Sequence, residues 1–217
     1  MGRKATGKVR QGERMLTASD WAEAALQLIA EKGLSALTVS TLAARLAVTK
    51  GSFYWHFTGR SDLLAAALSR WETTATTETI RALDAVQDPR TRLELILHAS
   101  TQPPRSRSLY AALAEAAEDP VVRKALERVA ARRIEYLRDC YTQLGFDATR
   151  ATSHAVFSYA AYRGLLQLAH EAPATLPTDW AAYAGLIETT FVPPAATAGR
   201  AGRRGAGARA SNGARKA

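Results

Sequence analysis

The 217-residue sequence holds a single cysteine, Cys140, and two methionines, and only 7% of it is aromatic. A lone cysteine closes no internal disulfide and builds no thiolate metal cluster, so it fits a reducing compartment and a role as a small core residue. Long apolar runs are missing as well. A membrane-spanning helix needs roughly 18 to 20 uninterrupted apolar residues, and the longest candidate, Phe157 to Ala169, is broken by Arg163 and Gln167. The basic start is followed only by Met15 and Leu16 before Thr17, Ser19 and Asp20, which is too little for a secretory leader. The expectation is a cytoplasmic chain without membrane association.

Catalytic and metal-binding patterns are equally scarce. The four histidines, His56, His98, His154 and His170, form no i, i+4 pair and no His-Glu-x-x-His motif, so no zinc site is expected. No Gly-x-Ser-x-Gly elbow occurs, and no alternating β-branched segment offers a strand to mount one. Gly205 to Ala210 superficially fits a dinucleotide fingerprint but follows no strand and lies in a stretch of low complexity. No enzyme, cofactor or metal is expected.

What remains is apolar and basic. The chain is 47% hydrophobic and 23% charged, as in an ordinary soluble protein, with a net charge of +9. That charge is unevenly placed: residues 1–14 carry +4, residues 199–217 carry +6, and the body between them is close to neutral at −1. The high pI therefore reports on two terminal segments and says little about the folded body.

Apolar residues recur at helical spacing almost throughout. Trp21, Ala25, Leu28 and Ile29 mark a first helix that ends at Gly33. Thr38 opens a short second helix with Val39, Leu42, Ala43 and Leu46 inward, and Thr49 opens a third running through Phe57. A fourth, from Arg60, buries Leu63, Leu64, Ala67, Leu68 and Trp71 and runs on toward Leu83. Beyond Asp88-Pro89 the pattern stays helical, interrupted at Pro103-Pro104 and resumed from Leu109, with a long helix from Pro120 to Gly145 and two more over 147–170 and 179–191. The fold class expected is all-α with about nine helices: an N-terminal three-helix helix-turn-helix domain and a C-terminal helical ligand-binding and dimerisation domain. The expected boundaries are a disordered basic arm at 1–14, the helix-turn-helix domain at 15–71, the second domain at 72–194 and a disordered basic tail at 195–217.

The segment Thr38 to Arg60, TVSTLAARLAVTKGSFYWHFTGR, preceded by EKGLSAL, carries the functional signal. Phe53 and Phe57 are four residues apart and share one helix face, while Lys50, Ser52, Tyr54, Trp55 and His56 spread over the rest as a polar and aromatic surface. The segment resembles the DNA-binding region of the TetR family of bacterial regulators: a threonine opens the second helix, a short turn leads to the recognition helix, and Tyr-x-x-Phe is followed by a basic residue. The resemblance covers about residues 15–71 and departs at Ala47, where the family has glycine. It implies that Thr38, Thr49, Tyr54 and Arg60 hold phosphates, and that Lys50, Gly51, Ser52, Trp55 and His56 face base edges in the major groove. The arm at 3–14 either tracks the minor groove or is a solvated tail.

The same resemblance implies a homodimer through the last two helices, with Ala160, Ala161 and Gly164 permitting close approach, a palindromic double-stranded DNA operator, and a small-molecule effector that releases the DNA. Leu97, Tyr110, Tyr141, Phe157 and Tyr162 are candidate effector contacts, against the plainer reading that aromatics at helical spacing fill a core. A constitutive architectural or recombination-type DNA-binding protein without an effector is the alternative, and it requires a filled core in the C-terminal half.

Overall fold

The computed structural model describes residues 16–100 and 109–192, and all regular structure among them is helical. Ten α-helices follow one another: α1 Ala18–Lys32, α2 Val39–Arg45, α3 Lys50–Tyr54, α4 Arg60–Glu72, α5 Glu78–Asp84, α6 Pro89–Ser100, α7 Leu109–Glu115, α8 Pro120–Gln143, α9 Ala148–Glu171 and α10 Trp180–Phe191. A π turn, Thr73–Thr77, joins α4 to α5, so the fourth helix expected to reach Leu83 is one rod of three pieces. With the rod taken as one helix the expected number of about nine is met. The expectations for the arm, the tail and the Pro103-Pro104 break lie outside the described residues.

Local chemistry accounts for the helix ends. Thr17 and Asp20 form a reciprocal capping box at α1, with the Thr17 N–H donating to Asp20 Oδ2 at 2.8 Å and the Asp20 N–H donating to Thr17 Oγ1 at 3.2 Å. Asp119, Asp147 and Asp179 accept first-turn N–H groups at the starts of α8, α9 and α10. The π turn falls on the run TTATT. There the Thr73 and Thr74 hydroxyls donate back to the Ser69 and Arg70 carbonyls at 3.0 Å, a competition with the helical ladder that bends and loosens it.

Two cores result. The first lies beneath the helix-turn-helix and gathers Trp21, Leu28, Ile29, Leu42, Phe53, Phe57, Leu63, Leu64 and Leu68, together with Leu113 of α7 and Val122, Ala125 and Val129 from the first half of α8. The second takes Leu93 and Leu97 of α6, Leu137, Cys140 and Tyr141 from the second half of α8, Ala155 and Tyr159 of α9, and Phe191. Helix α8 thus runs through both. The rod and α8 are further tied by Arg128 on Glu72 at 2.9 Å and by Arg133, which donates to Thr76 Oγ1 at 3.1 Å and to the Ala75 carbonyl at 2.7 Å.

The turn after α2 is a Schellman motif: the Val48 N–H donates to the Ala43 carbonyl at 3.0 Å and the Ala47 N–H to the Ala44 carbonyl at 3.2 Å. It places Ala47 at φ 56°, in the left-handed region that favours glycine. Ala47→Gly should therefore raise the unfolding free energy by up to about 1 kcal/mol, read as a shifted urea midpoint at constant slope.

Burial pushes the Cys140 thiol up to about 11 from an ordinary 9, the nearby Arg92 only partly opposing it. The unfolded chain ionises this thiol first, so stability should fall as pH rises from about 9 toward 11. In the native chain at pH 8 Cys140 should resist a thiol reagent and become labelled only with unfolding.

Candidate nucleic-acid interface

The three helices of the N-terminal motif are held by a few long-range contacts. Arg45 of α2 grips Glu31 of α1 through two N–H groups at 2.7 Å each, and this hydrogen bond above all holds the Glu31 carboxyl below its ordinary range. Arg70 of α4 reaches Glu23 at 2.8 Å and Ser19 at 2.9 Å. Thr38 caps α2, its hydroxyl accepting from the Thr41 N–H at 3.1 Å.

The recognition segment is oriented by what it buries. Phe53 is fully buried, edge-on to Trp21 at 5.4 Å between ring centres, and stacks at a tilt on Phe57 at 5.5 Å. Regular helix ends at Tyr54 rather than at Phe57, and the Phe53 carbonyl then accepts from both His56 and Phe57. Tyr54 and Trp55 are turned out, at 64% and 87% exposure. Lys50, Gly51 and Thr49 are exposed, and Ser52 and His56 are half-buried. Thr49 stands at the helix start without a side-chain cap bond, leaving its hydroxyl available. A Cβ built on Gly51 would meet only Thr49 Oγ1 at 3.6 Å, an ordinary contact, so no protein neighbour requires glycine there. Within the described residues this face offers hydroxyls, an amine, an indole N–H and an imidazole toward solvent.

Arg60 is placed otherwise than expected. Its Nε donates to the Leu37 carbonyl at 2.9 Å and its Nη2 to the Leu34 carbonyl at 3.3 Å, while Nη1 stands 3.9 Å from the Asp119 carboxylate. These bonds fasten the turn before α2 to the starts of α4 and α8, which gives Arg60 a positioning role. The sequence signal for this was Asp119 itself, which reads only as a helix cap.

In the C-terminal half a cavity of about 300 Å³ opens between the π turn, α5, α6, α8 and α9. Leu97 and Tyr162 line it. Tyr141 stands behind the wall, its hydroxyl donating to the Phe191 carbonyl at 2.8 Å and paired with Ser158 Oγ at 2.9 Å. Tyr110 lies further back, its hydroxyl 3.0 Å from that of Tyr159 and its ring 4.0 Å from the Arg163 guanidinium carbon. Phe157 is a correction: it is 61% exposed on the outer face of α9, against Phe191, and does not line the cavity. Missing from the sequence-based candidates were Arg133, Tyr136 and Tyr159, all lining residues. Arg133 was detectable, because it shares the α8 face of the buried Val129 and Leu137 at i±4 spacing. Tyr136 keeps its proton, pushed up to about 12 by burial first, with Cys140 and Asp84 adding to it.

On the outer face of α9 and α10, Val156, Phe157, Ala160, Gly164, Leu168 and Leu186 are exposed, whereas Ile187 and Phe191 turn into the second core. Among the described residues no helix is long and apolar enough to cross a membrane.

Residues 22–67 match the family of bacterial regulatory proteins of the tetR type. Over 47 residues the chain is 38% identical to the HTH-type transcriptional regulator SrpR of Pseudomonas putida, a match spanning 22% of this chain and 22% of that relative. A transcriptional regulator from Rhodococcus sp. Rha1 superposes with a TM-score of 0.67 at 22% identity, over 82% of this chain and 96% of that one. A TetR transcriptional regulator from Legionella pneumophila does so with a TM-score of 0.66 at 17% identity, over 79% and 95%. At these identities the solved structures establish the fold. The matched family is one of regulatory proteins, and these structural neighbours are named as transcriptional regulators. Residues 22–67 thus resemble the DNA-binding segment of the tetR family of bacterial regulatory proteins, and the chain as a whole shares its fold with solved regulators.

Proposed function

We propose that the chain is a ligand-responsive transcriptional regulator that binds a palindromic operator as a homodimer and leaves it when a small molecule binds. The observation that carries this reading is the outward face of the recognition segment. Packing turns Phe53 and Phe57 inward and Tyr54 and Trp55 outward, giving a convex helical surface of hydrogen-bonding groups that the major groove accepts. In this reading Thr38, Thr49 and Tyr54 hold phosphates and set register. Lys50, Gly51, Ser52, Trp55 and His56 face base edges, with Gly51 allowing the backbone to approach.

Residues 15–71 act as the DNA-binding domain and residues 72–194 as the effector and dimerisation domain, in the cytoplasm. The exposed apolar residues on α9 and α10 support pairing of these helices about a two-fold axis, which would present two recognition segments to two half-sites. The cavity supports the effector, because it borders the rod that continues into the helix-turn-helix. A ligand there shifts operator affinity by the coupling typical of such systems, about 1 to 3 kcal/mol. The architectural alternative calls for a filled C-terminal core, and the cavity of about 300 Å³ weighs against it.

Fluorescence anisotropy at about 150 mM salt, where non-specific binding is near 10⁻⁴ to 10⁻⁶ M, tests this with the DNA upstream of the chain's own gene against a shuffled duplex. The native duplex should be preferred by about 10³-fold or more, and the Lys50→Ala, Tyr54→Ala double variant should lose that preference while keeping its urea midpoint. Equal binding to native and shuffled duplexes, repeated with sites drawn from a random pool, would contradict the reading. Arg60→Ala should lower stability and leave the salt dependence of binding unchanged. Loss of a phosphate contact would instead reduce the log–log slope by about 0.9.

A further inference from the structure

The cavity has a composition that selects among ligands. Its walls are largely aliphatic, with Ile80, Leu83, Ile96 and Leu137 among them, and no aspartate or glutamate is found among its described lining residues. Among the described lining residues one is a cation: Arg133, half-buried and forming no ion pair among the described residues. Its hydrogen bonds run to two neutral acceptors, the Thr76 hydroxyl and the Ala75 carbonyl. Of the five N–H groups of a guanidinium, two are thus engaged and three remain. The Tyr136 hydroxyl, also lining, is buried with no hydrogen bond of ordinary geometry, and the Asp84 carboxylate stands close enough to act on it. A partly desolvated cation with neutral neighbours makes an incomplete constellation, since buried charges are ordinarily paired.

We propose that the cavity binds a small amphiphilic carboxylate, its single negative charge received by Arg133 and its apolar body by the aliphatic walls. One cation matches one negative charge. The planar two-oxygen head fits the free guanidinium edge, whereas a dianionic phosphate would leave a charge unmatched. The volume of about 300 Å³ is at the lower end for small-molecule sites and bounds the body to a short chain or a single ring. Amines are rejected by like charge, and alcohols forgo the charge-assisted bond. The proposal rests on the effector reading only for its consequence: the guanidinium that receives the acid on its free edge also holds Ala75 and Thr76, so binding bears directly on the π turn in the rod.

Isothermal titration of the full chain with sodium octanoate, octan-1-ol and octylammonium tests it without reference to DNA. Octanoate should bind about 10- to 100-fold more tightly than octan-1-ol, the worth of a hydrogen bond to a charged group, and octylammonium should not bind. Arg133→Gln should bring octanoate down to the alcohol's affinity, and Arg133→Lys, which keeps the charge and not the fork, should restore part of the preference. Undiminished octanoate binding by Arg133→Gln, equal affinity for acid and alcohol, or no binding of octanoate at millimolar concentration would each overturn the proposal. Arg133-dependent octanoate binding that leaves operator affinity unchanged would uphold the ligand class and count against the effector reading alone.

Discussion

Everything the N-terminal domain presents to its surroundings depends on the burial of one ring, that of Phe53 edge-on to Trp21. Neighbouring residues on a helix point in different directions. Once Phe53, and Phe57 four residues later, occupy the core, Tyr54 and Trp55 have no inward position left and stand in solvent. Trp55, exposed at 87%, keeps both its ring face and its indole N–H open to another surface. The same packing turns α3 toward the first core, so one hydrophobic contact bears both on the stability of the motif and on the direction of its outward face.

The second constraint is continuity. The first core does not stop at the end of the helix-turn-helix but takes in α7 and the first half of α8, and α8 continues into the second core beside the cavity. Arg60 reaches from the turn before α2 toward Asp119 at the α8 start, and Arg133 reaches from α8 to the π turn. The cavity and the reading face are therefore joined by two parallel elements, the rod and α8, cross-tied at both ends. A close-packed arrangement of this kind switches between discrete states more readily than it deforms continuously.

The helices and the inward set of the N-terminal motif were legible in the sequence, because the apolar spacing, Thr38, Thr49 and Pro120 at helix starts, and Gly33 and Gly145 at helix ends all agree with one helical reading. The left-handed turn at Ala47 was legible as an anomaly and the backbone there has φ 56°. The π turn was not, since a run of threonines inside an apolar pattern reads as plain helix, and only the back-bonding of their hydroxyls reveals the wider turn. The carbonyl partners of Arg60 and the exposure of Phe157 were not legible for one reason: periodicity says which side of its own helix a residue occupies and nothing of what faces it. Leu34 and Leu37 carbonyls took Arg60, and the outer face of α9 took Phe157. Arg133 was overlooked because an arginine on an apolar face reads as a snorkelling surface residue until the facing element is known.

The central claim is that the outward face of the recognition segment reads DNA sequence. Selection of bound sites from a random duplex library by the full chain, repeated with Lys50→Ala, tests it most directly. The account predicts a two-fold symmetric motif with half-sites spaced about 10 base pairs or a multiple apart, and for the variant a motif degenerate at one symmetric pair of positions and otherwise unchanged. A library that yields no motif, or one that Lys50→Ala weakens evenly at every position, would contradict it.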